Sequence, residues 1–127
     1  MNFSTNKEKG NTSLGIAIVY YTSNGYTVSV PLNDTQDYDL IVDKNKILKR
    51  VQVKGTSCRT KYNVYQVALK SCGGTKGQTY KTIIDTEIEE LFIVTDKMDI
   101  FIIPKSKIKN RSTLNLSDKY KEYKKQN

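Results

Sequence analysis

Two different periods of apolar and polar positions divide this chain into elements. Leu14, Ala17, Ile18 and Tyr21 fall at i, i+3, i+4 and i+7, so they share one face of a helix. Asn11 or Thr12 offers a capping oxygen at its start. Asn24-Gly25 ends it, because glycine takes the left-handed conformation a helix terminus needs. Gly15 inside this helix costs roughly 1 kcal/mol against alanine, which is tolerable if something packs closely there. Residues 1–10 are polar and read as a frayed end, as do residues 126–127.

After the helix the period changes to two. Tyr26 to Val30 alternates and is β-branched, and Pro31 stops it. The loop Asn33 to Asp37 leads into Tyr38-Asp39-Leu40-Ile41-Val42-Asp43. After a turn at Lys44 to Ile47, the chain returns as Leu48 to Lys54. Tyr38, Leu40 and Val42 lie on one face of the first strand, and Asp39, Ile41 and Asp43 on the other. On the return strand Val51 and Val53 share a face, opposite Arg50, Gln52 and Lys54. A four-residue loop pairs Asp43 with Leu48 and sets Asp39 opposite Gln52. A two-residue loop is expected to shift the pairing by two and still keep Asp39, Gln52 and Lys54 on one face.

The remaining elements are shorter. Val64 to Leu69 reads as a strand, Ser71 to Gly77 as a Gly-rich turn, Lys81 to Ile84 as an edge strand and Asp85 to Glu90 as a turn of helix. Leu91 to Val94 and Ile100 to Ile103 are apolar strands around Asp96-Lys97-Met98-Asp99, the second ended by Pro104. Leu114 to Lys125 reads as a final helix started by Ser117-Asp118. No internal repeat or interdomain linker interrupts the 127 residues, which suffice for a single core and a single domain.

Charge adds a partner to this picture. The formal net charge is +8, and it is segregated. Lys44 to Lys61 carries seven cations and no acid, and Lys105 to Asn127 carries eight cations against two acids. Ile84 to Ile100, between them, has six acids and one lysine. A basic side of this kind suits a phosphate backbone, with nine tyrosines available for stacking, although an ordinary lysine-rich surface has the same composition. Arg50, Arg59, Lys61, Lys76, Lys107, Lys109 and Arg111 are the candidates to reach phosphates or bases. The acidic segment is expected to face away from DNA, toward another protomer.

Composition also removes chemistries. With no histidine there is no Ser-His-Asp or Cys-His nucleophile system, and two cysteines, Cys58 and Cys72, cannot close a four-ligand zinc site unaided. In an intracellular chain they are expected to be free thiols. No run of 18 apolar residues or signal-peptide pattern is present, so the expected location is the cytoplasm, without a membrane partner. Catalysis would therefore run on carboxylates, amides, lysines and a hard metal. One carboxylate, Asp39, one amide oxygen, Gln52, and a backbone carbonyl such as that of Val53 form a sparse oxygen set. Such a set suits Mg²⁺, with Mn²⁺ as its substitute, because the ion keeps most of its waters and borrows a substrate phosphate. Lys54 on the same face could activate water or neutralise the phosphate. Solvated polar residues on the wet face of a hairpin have the same pattern.

The order of the parts is more specific than the parts. Helix, strand, Pro-x-x-Asp loop, Tyr-Asp-Leu strand and Val-Gln-Val-Lys strand together resemble the PD-(D/E)xK nuclease core, a mixed central sheet flanked by an N-terminal and a C-terminal helix. More narrowly, the chain is similar to the branch with Gln in place of the second acid, which includes the group I intron homing endonuclease of this superfamily and phage and archaeal Holliday-junction-resolvase-like proteins. Lys9-Gly10-Asn11, Gly25-Tyr26, Val28, Pro31-Leu32, Tyr38 to Asp43 and Val51 to Lys54 carry the match, with weaker matches at Gly73-Gly74, Leu91-Phe92 and Ile103-Pro104.

This resemblance implies a metal ligand at Asp39, a ligand or near-ligand at Gln52 and a catalytic lysine at Lys54. Family members often place an acid on the first helix; Asn11 to Tyr21 contains none, and Glu8 just upstream is the candidate for that role, with Asn11 or Ser13 as weaker ones. The activity implied is Mg²⁺-dependent hydrolysis of DNA phosphodiesters by a homo-oligomer, a dimer or tetramer, encoded by a phage or mobile element. A homing-type endonuclease, a Holliday-junction resolvase and a non-catalytic DNA-binding module on the same fold all remain open on these residues.

Overall fold

The computed structural model describes residues 5–33, 35–72 and 80–126. Its α-helix, α1 (Asn6–Ser23), begins earlier than the apolar spacing implies. Thr5, in extended conformation, accepts the Glu8 N–H on its hydroxyl at 3.0 Å. Thr5-Asn6-Lys7-Glu8 thus has capping-box spacing, and the polar stretch expected to fray is helical from Asn6. At the other end the Asn24 N–H bonds the Tyr20 and Tyr21 carbonyls, and Gly25 follows at φ +85°. Ser13, Ala17 and Tyr21 are buried along the inner face, flanked by half-buried Leu14 and Ile18. Gly15 looks outward with nothing within 4 Å of its Cβ position, so no close packing explains it.

The strands are β1 (Thr27–Ser29), β2 (Leu40–Lys44), β3 (Ile47–Thr56), β4 (Gln66–Ala68), β5 (Lys70–Cys72), β6 (Tyr80–Thr82), β7 (Glu90–Thr95), β8 (Ile100–Pro104), β9 (Thr113–Asn115) and β10 (Lys124–Lys125). Among the described residues, six of them form the central sheet in the order β1-β2-β3-β7-β8-β10. Only the β3–β7 pair in it is parallel, so the sheet is mixed, as expected.

Register at the first hairpin is the expected one, Asp43 opposite Leu48 and Leu40 opposite Val51. The turn is tighter than four residues, because Lys44 and Ile47 also pair. Asn45 and Lys46 both take positive φ, 55° and 66°, as a two-residue hairpin turn twisted to match its strands requires. A two-residue turn therefore closes this register rather than the shifted one.

The two sheet faces bury separate clusters. Against α1 lie Leu40, Val42, Val51, Phe92, Val94 and Ile100, packed on Ala17 and Tyr21. On the other face Leu91, Ile93, Phe101 and Ile103 are covered by Val67 of β4, Leu114 of β9 and Tyr120. β7 is buried along its whole length, which accounts for its unbroken apolar run.

Two helix expectations are corrected. Leu114 to Lys125 forms β9, a 3₁₀ helix at Asp118–Tyr123 and β10. Leu114 and Leu116 recur at the period of a strand, and Tyr120 and Tyr123 at the three-residue period of a 3₁₀ turn. Asp85 ends a 3₁₀ turn at Ile83–Asp85, residues 86–89 are irregular, and Glu90 begins β7. There Thr86, Ile88 and Glu90 are buried and Asp85, Glu87 and Glu89 exposed, an alternation by two. The expected edge at Lys81 is β6, paired with β5. The Gly-rich turn expected at Ser71 to Gly77 lies, from Gly73 onward, outside the described residues.

Candidate active site

β3 is ten residues long, and its two edges are used unequally. Its first half pairs with β2 and its second half with β7, so the β2-facing edge is open beyond Val51. Asp39 stands where that edge opens. Its N–H still bonds the Val51 carbonyl at 2.8 Å, and its Oδ2 accepts the Val53 N–H at 2.8 Å and the Gln52 side-chain amide at 2.9 Å. The carboxylate thus replaces a ladder partner for a strand that has run past its neighbour. In a strand the N–H and C=O of one residue point to the same edge, so the Val53 carbonyl also faces this opening. Lys54 follows on the same sheet face as Gln52.

Asp39 and Lys54 are both half-buried. Desolvation raises the Asp39 pKa above the ordinary carboxylate range, opposed by the Val53 hydrogen bond and by the charge of Lys54. Desolvation likewise lowers the Lys54 pKa; Asp39 pulls it back up, and Lys9 pushes it further down. Burial thus disfavours the charged form of both groups, and each partly offsets this for the other.

Whether these residues suit a divalent cation follows from the donors. Oδ2 is committed to two N–H groups, while among the described residues no hydrogen bond engages Oδ1. A desolvated carboxylate with a free oxygen, a neutral carbonyl and an amide are hard ligands, and they fit Mg²⁺ or Mn²⁺. Gln52 presents its nitrogen to Asp39; offering its oxygen to a cation needs only rotation of the amide. Among the described residues no group of three or more His, Cys, Asp and Glu could hold a metal.

Glu8 is exposed on the first turn of α1, while its neighbour Lys9 lies over β3. A Cβ built on Gly55 would stand 3.1 Å from Lys9 Cγ and 2.1 Å from Ser13 Oγ. The helix and strand approach so closely here that only glycine fits. Lys9 was not legible as a site residue, although a glycine inside a strand pattern signals a close approach of this kind. Ser13 Oγ is buried without a hydrogen-bond partner.

The DNA-contact candidates separate into paired and unpaired cations. Arg50 faces Glu87 and Glu89, Arg59 bonds the Tyr65 hydroxyl and faces Asp96, and Arg111 pairs with Asp85 at 2.8 Å. The parallel β3–β7 pairing brings the basic and acidic segments side by side, so much of the segregated charge is compensated within the fold. Lys61 sits over the Tyr62 ring, and Lys107 and Lys109 are exposed. Lys76 lies outside the described residues. Cys58 is a free, exposed thiol, and the side chain of Cys72 is likewise outside the described set. No helix is long and apolar enough to cross a membrane among the described residues.

This combination, a mixed sheet with one carboxylate and a Gln-x-Lys strand at its open edge, defines a nuclease-type core. A model of the PD-(D/E)XK endonuclease family matches residues 4–127, and the chain belongs to that family. Among solved structures the fold is similar to that of a bacterial homing endonuclease, I-Ssp6803I, with a TM-score of 0.78 and 22% identity, covering 95% of this chain and 89% of that one. No curated protein matches the chain.

Proposed function

We propose that the protein is a divalent-cation-dependent DNA endonuclease of homing type, using Mg²⁺ with Mn²⁺ as substitute. The observation that carries this reading is the meeting of Asp39, Gln52 and the open Val53 edge beside Lys54. Asp39, the Gln52 amide oxygen and the Val53 carbonyl would hold the cation. When bound, it supplies Lewis-acid polarisation of a phosphoryl oxygen and lowers the pKa of water. The Val53 N–H fixes the Asp39 carboxylate and leaves Oδ1 available. Lys54, desolvated and with its pKa depressed, takes a proton from the attacking water at Nζ. Cutting both strands of a duplex calls for two such sites, hence a homo-oligomer acting inside the cell.

The test is purified protein with Mg²⁺ on linear duplex, four-way junctions and genomic DNA, with Asp39→Ala as control. Double-strand cleavage lost in Asp39→Ala is expected. Symmetric cutting of junctions alone would make the protein a resolvase. DNA binding without cleavage, unchanged in Asp39→Ala, would make it a non-catalytic module.

A further inference from the structure

We propose that Lys9 and Lys54 form a seat for a DNA backbone phosphate that fills before a metal ion does. The proposal rests on the nuclease reading for the identity of the polyanion and for the metal site at Asp39. A cavity of about 360 Å³ opens beside the candidate site, lined by Lys9, Gly10, Val53, Lys54, Gly55 and Thr56 among others. Gly55 lets the Lys9 stem cross β3, while a Cβ at Gly10 would meet nothing within 4 Å.

Most cations elsewhere are either paired or, like Lys61, Lys107 and Lys109, exposed to water. Lys49, Arg50, Arg59, Lys81, Arg111 and Lys124 each stand within ion-pair distance of a carboxylate. Among the described residues, neither the Lys9 nor the Lys54 ammonium has an ion pair or hydrogen bond, though both side chains are half-buried. Burying charge without a partner is unfavourable, and an incoming anion relieves it.

Charge balance sets the order of binding. Lys9 and Lys54 line the cavity, and Asp39 acts on Lys54 from beside it. With both ammonium groups protonated, as they are before the reaction begins, the formal charge there is positive before any cation arrives. Glutamate at position 52 would cancel that excess, and the site would then attract a cation first. With Gln52 the phosphate comes first and contributes an oxygen ligand to the metal.

The experiment is binding of a labelled duplex of arbitrary sequence, about 30 base pairs long, in EDTA over a range of salt concentrations. Wild-type protein should bind. Lys9→Gln should weaken binding roughly fivefold at low salt and reduce the salt slope by about 1, as loss of one phosphate contact does. Lys9→Arg should retain both, and Lys7→Gln, an exposed change on the same helix, should alter neither. Should Lys9→Gln unfold, Gly10→Glu makes the same test by placing a carboxylate in the cavity mouth. No wild-type binding in EDTA, an unchanged slope in Lys9→Gln or Gly10→Glu, or an equal loss in Lys7→Gln would overturn the proposal. Cleavage by wild-type protein in Mg²⁺ is scored separately. A reduced slope without any cleavage would leave the seat standing and remove the nuclease reading; cleavage with an unchanged slope would do the reverse.

Discussion

Gln52 donates its side-chain amide to the Asp39 carboxylate at 2.9 Å across the end of the β2–β3 pair. A neutral amide therefore occupies the position where a second acid would repel the first. Restoring that acid with Gln52→Glu places two carboxylates within hydrogen-bond reach. The variant should bind Mn²⁺ or Mg²⁺ about tenfold more tightly without DNA, and it should melt at a lower temperature than wild type in EDTA at neutral pH. Calorimetry and thermal unfolding read both effects. Submicromolar Mg²⁺ affinity in the wild-type protein would contradict the one-carboxylate account.

Burial raises the Asp39 pKa, so protonation favours the folded state. The associated stability is full below the ordinary aspartate value and is lost as pH rises through the raised folded value. Asp39→Asn keeps an oxygen for the Val53 and Gln52 N–H donors without the charge. It should melt at or above the wild-type temperature at neutral pH, with the difference closing toward about pH 4, and it should not cleave DNA. A marked loss of stability in Asp39→Asn at pH 7 would show that the carboxylate is a structural cap only.

Lys54 has the opposite sign: its folded pKa is depressed, so stability is present above the unfolded lysine value and is lost as pH falls through the folded one. Lys54→Met should therefore leave the apo protein at least as stable at neutral pH, while cleavage falls about 10²- to 10⁴-fold. Cleavage by wild type should rise with pH along a limb below the ordinary lysine pKa. Lys54→Arg, which stays protonated, should not restore it; substantial rescue would assign Lys54 to charge neutralisation instead of proton transfer.

The contact of Gly55 with Ser13 yields a prediction independent of activity. Gly55→Ala sets a methyl carbon 2.1 Å from Ser13 Oγ, so α1 or β3 must shift, at about 1–3 kcal/mol. Ser13→Ala removes a buried hydroxyl that has no partner and should be close to neutral alone. Combined, the two should recover much of the loss, and denaturant unfolding of the four proteins measures the coupling. Additive effects would mean that the clash is relieved elsewhere.

What could be read from the residues follows from which forces are local. Asp39, Gln52 and Lys54 were placed together because strand period and hairpin register are short-range properties. The fold class was legible because helix, hairpin and apolar strands occur in the family's order. The parallel docking of β7 on β3 joins residues about forty positions apart, so the neutralisation of Arg50 by Glu87 and Glu89 had no local signal. The start of α1 is set by the capping pattern at Thr5 and Glu8, which lies upstream of the apolar spacing. Lys9 was hidden for the same reason: its position depends on a helix turn that the pattern did not extend.

The Asn45-Lys46 turn sets the register between Asp39, six residues before it, and Gln52, six residues after it. A slide of β2 along β3 by one residue would carry Asp39 to the face opposite Gln52, and it would also turn the buried Leu40 and Val42 out of the core. The buried apolar residues that fix this register, Leu40, Val42 and Val51, therefore also hold the carboxylate and the amide on one face, so the core guards the chemistry from the far side of the sheet.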